Sequence, residues 1–126
     1  MAMTQPLAFV LYESLLPGSQ LANRMRDLGY RVSTVPDAMQ LVAQAEAEKP
    51  MVLVTELFNS GVDICTLLRE LKQNPGTSHI PVLAYFSVKN KDLQNSAVQA
   101  GANLVAGDAA LLGQLPRLLE QVLEVE

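Results

Sequence analysis

The stretch Pro50-Met-Val-Leu-Val-Thr-Glu-Leu-Phe-Asn-Ser-Gly-Val-Asp63 decides the reading of the whole chain. Its first half, Met51 to Thr55, is a short and nearly continuous apolar run, as expected of a strand covered by helices on both faces. Asp63 then offers an N-cap to a helix on which Ile64, Leu67, Leu68 and Leu71 share one face, and Pro75-Gly76 stops it. A buried strand followed by an amphipathic helix is the repeating unit of an α/β fold.

Outward from this segment the unit recurs. Leu7 to Leu11, Tyr30 to Val35, Val82 to Phe86 and Asn103 to Ala106 read as the other strands. Leu21, Met25 and Leu28 define the inward face of a first helix that stops at Gly29; Ala38, Leu41, Val42 and Ala45 define a second that ends before Pro50. A fourth runs from about Lys91 to Ala100 with Leu93, Ala97 and Ala100 inward, closed by Gly101. Proline inside a helix removes a hydrogen bond but is favourable at its first position, so the last helix is placed from near Leu115, next to Pro116. Five strands alternating with five helices imply a doubly wound parallel sheet. Functional residues of such sheets lie beyond the carboxyl ends of strands where the winding reverses, here the ends of the first, third, fourth and fifth.

The chain has 126 residues, the size of one domain, so residues 1–126 are expected to form a single unit. Apolar residues make up 49% and charged residues 17%, which excludes disorder driven by low hydrophobicity. The net charge is -4 and the nine Lys and Arg are scattered, so no basic footprint for nucleic acid is present. The apolar runs are far shorter than the roughly 20 residues a membrane helix needs. Neither a membrane nor a nucleic acid is therefore an expected partner, and a cytoplasmic location is the default. The single Cys65 permits no intramolecular disulfide and reads as a small buried hydrophobe.

The sequence resembles the receiver domain of bacterial response regulators across nearly its whole length. The likeness is carried by Pro50 to Asp63 with the helix after it, by His79-Ile-Pro-Val-Leu83, and by Ala100-Gly-Ala-Asn103 before the last strand. What the resemblance implies is a receiver or flavodoxin-like sheet in strand order 2-1-3-4-5. It also implies a site in which an acidic pair holds magnesium, an aspartate accepts phosphate, and a hydroxyl and a lysine receive the phosphoryl oxygens.

This chain departs from that pattern at nearly every position. The acidic pair aligns with Tyr12 and Glu13, the phosphoacceptor with Glu56, the hydroxyl with Phe86 and the lysine with Asp108. Ser87, one residue after Phe86, is expected to face elsewhere, and the switching aromatic of the fifth strand aligns with Val105. Phosphoryl transfer depends on positioned cations, and one lost donor can cost roughly 100-fold in rate. Replacing the cation by Asp108 makes the chain a degenerate receiver, expected to accept no phosphate and to have no enzymatic activity. Glu56 is read as a partly exposed structural carboxylate and not as a standing mimic of phosphoaspartate.

Glu13, Glu56 and Asp108 are expected to converge at one edge of the sheet. The blander reading there is no metal and no cofactor, with mutual repulsion raising at least one carboxyl pKa. Ser14-Leu-Leu-Pro-Gly-Ser19 reads as a turn with Ser19 as helix N-cap, and His79 as a surface residue. Leu111, Leu112, Leu115, Leu118, Leu119, Val122 and Leu123 exceed what one sheet-facing stripe requires. In receivers the fourth helix, fifth strand and fifth helix form the usual docking and dimerisation surface. Leu111, Leu112, Leu115, Leu119 and Val122 are therefore the candidate contacts for a protein partner or a second copy, with tight core packing around a Pro-shortened helix as the equal alternative. Two functions follow as expectations: a phosphorylation-independent adaptor in a two-component, chemotaxis or motility pathway, or a sensor of a small ligand or divalent metal at the carboxylate edge. Residual phosphotransfer is a third.

Overall fold

The computed structural model describes residues 5–123. Five parallel strands, β1 (Leu7–Leu11), β2 (Arg31–Thr34), β3 (Val52–Glu56), β4 (Val82–Phe86) and β5 (Leu104–Gly107), form one sheet in the order β2-β1-β3-β4-β5. The expected strand order is the one observed. The helices are α1 (Leu15–Asp27), α2 (Leu41–Glu48, entered through a 3-10 turn at Ala38–Gln40), α3 (Ile64–Gln73), α4 (Lys91–Ala100), α5 (Asp108–Gly113) and α6 (Leu115–Leu123).

Strand alternation builds two cores. Phe9, Leu11, Leu53, Val82 and Ala84 face Leu41, Ile64, Leu68, Leu71 and Ala97 from α2, α3 and α4. Ala8, Val10, Val52, Val54, Leu83 and Tyr85 face Leu21 and Met25 of α1 and Leu111, Leu115, Leu119 and Val122 of α5 and α6. Every residue of β1 and β3 is buried, as their continuous apolar composition requires. Full burial of a leucine contributes about 1.5–3 kcal/mol, and α3 alone buries three, Leu67, Leu68 and Leu71.

Local chemistry accounts for most boundaries. The Asp63 carboxylate accepts the Cys65 N–H at 3.0 Å and caps α3. Asn90 does the same for α4 through the Leu93 N–H at 3.1 Å. At the end of α1, Gly29 adopts φ 97° while Tyr30 N–H bonds Met25 C=O and Gly29 N–H bonds Arg26 C=O, a Schellman closure. Leu28, expected inside, is therefore the capping residue and is 43% exposed.

Two helix assignments change. Leu16 inside α1 is extended (φ -113°, ψ 127°), so the regular helix begins at Pro17, whose fixed φ suits the first position. Ser19 thus lies within the helix and is not its N-cap. The final segment contains two helices in place of one: α5 ends at Gly113, Gln114 is non-helical (φ -132°, ψ 27°), and α6 restarts at Leu115. Pro116 causes the break, since it has no N–H for the carbonyl of Leu112 and its ring would collide there. β1 and β4 have the expected bounds, the ends of β2, β3 and β5 shift by a residue, and the shift at β3 brings Glu56 into the sheet.

Candidate functional site

β1 and β3 are neighbours from which the chain winds away in opposite directions, so the loops after them meet at the carboxyl edge of the sheet. Glu56 closes β3, paired in register with Tyr85 of β4. It is only 4% exposed, against the expectation of a partly exposed group. Its Oε1 accepts the backbone N–H of Glu13 at 2.8 Å and that of Ser14 at 3.0 Å. Hydrogen bonds to a charged group contribute roughly 1.5–3 kcal/mol each, so this carboxylate fixes the β1–α1 loop to the end of β3.

Glu13 makes the reciprocal tie. Its Oε1 accepts the Ser60 N–H at 2.9 Å, and its Oε2 accepts the Ser60 hydroxyl. These bonds hold the exposed Glu13 carboxyl below the usual glutamate range, the Ser60 hydroxyl contributing most. The expected rise from mutual repulsion is thus reversed at this residue. Tyr12, the other acidic-pair position, lays its ring over Gly18: a Cβ there would stand 2.2 Å from the ring. Only glycine after Pro17 lets the aromatic side chain pack in this place.

Glu13, Glu56 and Asp108 share an edge without converging. Glu56 lines a cleft with Phe58, Phe86 and Val88; Glu13 lines another with Asp37, Asn59 and Ser60; Asp108 lines a groove with Leu16, Pro17 and Leu112. Among the described residues no group of three His, Cys, Asp or Glu stands close enough to share a metal ion. The reason is local: Glu56 and Glu13 are turned toward loop donors, and Asp108 opens α5 and accepts the Ala109 N–H at 2.7 Å. The three-carboxylate sensor edge therefore lacks its geometry.

Phe86 is half-buried at the end of β4, and Ser87, expected to face elsewhere, lines the same cleft beside it. Tyr85 is buried with its hydroxyl lacking any hydrogen-bond partner among the described residues, and burial first, then the charge of Glu56, pushes its pKa strongly upward. Cys65 is buried, which raises its thiol pKa, and His79 is exposed in the loop before β4.

The partner residues are redistributed. Leu111, Leu115, Leu119 and Val122 are buried in the core under α5 and α6 and cannot meet a partner in the folded chain; Leu112 is half-buried against α1. The break at Gln114 re-aims α6, so that leucines which overfill one long helix face are all used by two short ones. The exposed large apolar side chains among the described residues are elsewhere: Leu15, Leu16, Phe58 and Val88 around the carboxyl edge, Met39 in the 3-10 turn, Val98 on α4, and Leu28 and Met51 toward the amino end.

Sequence reading missed Ser60, Gly18, Tyr85 and Phe58. Ser60 follows Asn59, whose side-chain oxygen accepts the Gly61 and Val62 N–H groups, so an Asn-Ser-Gly turn was the available signal. Tyr85 could be assigned a face by alternation, but no sequence signal shows that its hydroxyl is left without a partner.

No family model matches the chain. The response regulator PleD of Caulobacter vibrioides is 30% identical over 74 residues, which cover 59% of this chain and 16% of that much longer protein. The receiver domain of a sensor histidine kinase from Pseudomonas aeruginosa, solved with magnesium in its active-site cleft, superposes with a TM-score of 0.86 at 20% identity, covering 97% of this chain and 100% of that one. A response regulator from Chloroflexus aurantiacus gives 0.88 at 19% identity, covering 97% and 100%. A chemotaxis response regulator of Vibrio cholerae gives 0.82 at 15%, covering 94% and 99%.

Proposed function

We propose that this chain, whose fold is that of response-regulator receivers, is a phosphorylation-independent protein-interaction module of a two-component, chemotaxis or motility signalling pathway. Residues 1–126 act in this reading as one receiver-like unit in the cytoplasm. The module signals by binding and not by catalysis, and requires no cofactor.

The observation that carries the reading is the state of Glu56. Its Oε1 is occupied by two loop N–H groups of the same chain. Phe86 lines the same cleft and Asp108 opens α5 further along the sheet edge, where the resemblance calls for a hydroxyl and a lysine. A dianionic phosphoryl group arriving there meets the Glu56 carboxylate and two phenyl rings, and Lys89, which lines the same cleft, makes no hydrogen bond to Glu56 among the described residues. The membrane is not a supported partner either: among the described residues no helix is long and apolar enough to cross one.

The docking surface proposed is the face of α4, β5 and α6, for a protein partner or a second copy. With the four buried leucine and valine positions withdrawn, this face is represented by Val98 on α4, 57% exposed, by half-buried Val105 on β5 and by half-buried Leu118 on α6. Leu118 lies on the flank of α6 opposite Pro116, which faces α1, and so borders β5.

Two measurements test the proposal. Incubation with acetyl phosphate and magnesium should leave the intact mass unchanged in wild type and in Glu56→Ala alike; an adduct in wild type that Glu56→Ala abolishes sinks the phosphorylation-independent reading. Affinity capture with wild type and Val98→Glu should differ by loss of a partner, whereas identical partner lists remove the α4–β5–α6 face from consideration.

A further inference from the structure

We propose that the cleft between the β3–α3 and β4–α4 loops binds an organic cation, an ammonium or guanidinium group carried on an apolar stem. The inference goes beyond the function proposed above and is independent of whether the chain accepts phosphate.

The cleft has a volume of about 390 Å³, in the range of small-ligand sites. Glu56 lies in its wall, 4% exposed, with Oε1 held by the Glu13 and Ser14 amides. Among the described residues no side chain or backbone group donates to its second oxygen. Leu57, Phe58, Phe86, Val88 and Leu93 make the rest of the lining largely apolar. Phe58 is 62% exposed and Val88 80%, an unusual display of large apolar side chains beside a buried carboxylate.

This combination selects its guest by exclusion. An anion is repelled by Glu56, and a neutral apolar guest would bury the carboxylate without a donor. A bare divalent ion needs several oxygen ligands, and among the described residues lining the cleft Glu56 is the one carboxylate. An ammonium or guanidinium supplies the missing charge-assisted hydrogen bond, gains from two phenyl rings, and covers the apolar wall with its stem. Lys89 on the rim is the one basic residue lining the cleft and the internal rival for the carboxylate.

The test is an amide NMR titration of the full chain with benzylammonium, benzyl alcohol and phenylacetate, and with a blocked pentapeptide carrying arginine between leucines. Benzylammonium should shift the Glu13 and Ser14 amides and those of the cleft, binding about tenfold tighter than benzyl alcohol, with phenylacetate weaker still. Glu56→Gln keeps an acceptor for both loop amides and should lower benzylammonium affinity about tenfold with its spectrum otherwise preserved. Phe58→Ala, at an exposed position, should weaken it as well, and Lys89→Gln should strengthen it. Tighter binding of the pentapeptide than of benzylammonium identifies a protein side chain as the source of the cation; the reverse identifies a free amine. Equal response to benzylammonium and benzyl alcohol, an unchanged affinity in Glu56→Gln, or no response in wild type and Lys89→Gln together overturns the proposal.

Discussion

The two ends of the sheet handle polar groups in opposite ways. At the amino end, Lys72 is half-buried and donates to Ile80 C=O at 2.7 Å, to Asn103 Oδ1 at 3.2 Å and to Ser78 C=O at 3.5 Å, while Asn103 Oδ1 also accepts the Val82 N–H at 2.8 Å. One ammonium thus joins α3 to the starts of β4 and β5, and burial lowers its pKa without depriving it of acceptors. At the carboxyl end, Glu56 and Glu13 join two loops to each other, yet Leu15, Leu16, Phe58 and Val88 stay exposed and the Tyr85 hydroxyl has no partner among the described residues. A fold selected only for stability would not leave both kinds of defect at one end. The amino end is laced by one ammonium although Leu28 and Met51 stay exposed there; the carboxyl end gathers more exposed apolar surface, which a ligand or partner would cover.

Perturbing each end sharpens the contrast. The largest effect is expected at Gly18→Val, which forces a branched side chain into the Tyr12 ring and should cost roughly 3 kcal/mol in urea denaturation. Tyr12→Ala in the same chain should recover part of that loss, and full additivity of the two changes would disprove the contact. Next comes Lys72→Met, expected to cost about 2 kcal/mol by leaving the Ile80 carbonyl and Asn103 without their charged donor; a neutral result would place the lacing of the amino end in doubt. Tyr85→Phe should change stability by under about 0.5 kcal/mol, or raise it, because the hydroxyl it removes has no protein partner to lose. A loss above about 1 kcal/mol would show that the hydroxyl is satisfied and the carboxyl end less unfinished than described.

The smallest effect is the pH dependence of the Glu13–Ser60 tie. Glu13 is depressed in the folded state, so its contribution is complete above the unfolded value and is lost as pH falls through the folded one. Amide exchange of Ser60 should therefore stay slow near neutrality and quicken, beyond the intrinsic pH trend, only below about pH 4. Ser60→Ala, which removes the hydroxyl bond but keeps the amide one, should move that transition to higher pH, and Glu13→Gln should abolish it; its persistence in Glu13→Gln would assign the titration to another carboxylate.

Legibility followed the range of the interactions. Asp63 as the α3 cap, Gly29 and Gly101 as helix stops, and the apolar runs of β1, β3 and β4 all act within a few residues of themselves, and each was readable in place. Pro116 was recognised as a difficulty, but its outcome, a second helix and a re-aimed α6, depends on how Leu111 and Leu115 seat against β4 and α1. The burial of Leu119 and Val122 follows from that seating, which decides for core packing between two readings the sequence leaves level.

The order of strands and helices, their caps and the two-sided core were determined by the chain's own pattern of apolar and turn residues, because hydrophobic period and capping chemistry are local. The fates of Glu13 and Glu56 were decided only in three dimensions. Alignment put them at one edge, but a carboxylate goes to the nearest unpaired donors, and those are loop amides and a serine 42 to 47 residues distant in sequence. Which donors lie within hydrogen-bond reach is a property of the folded loops and not of any segment read alone.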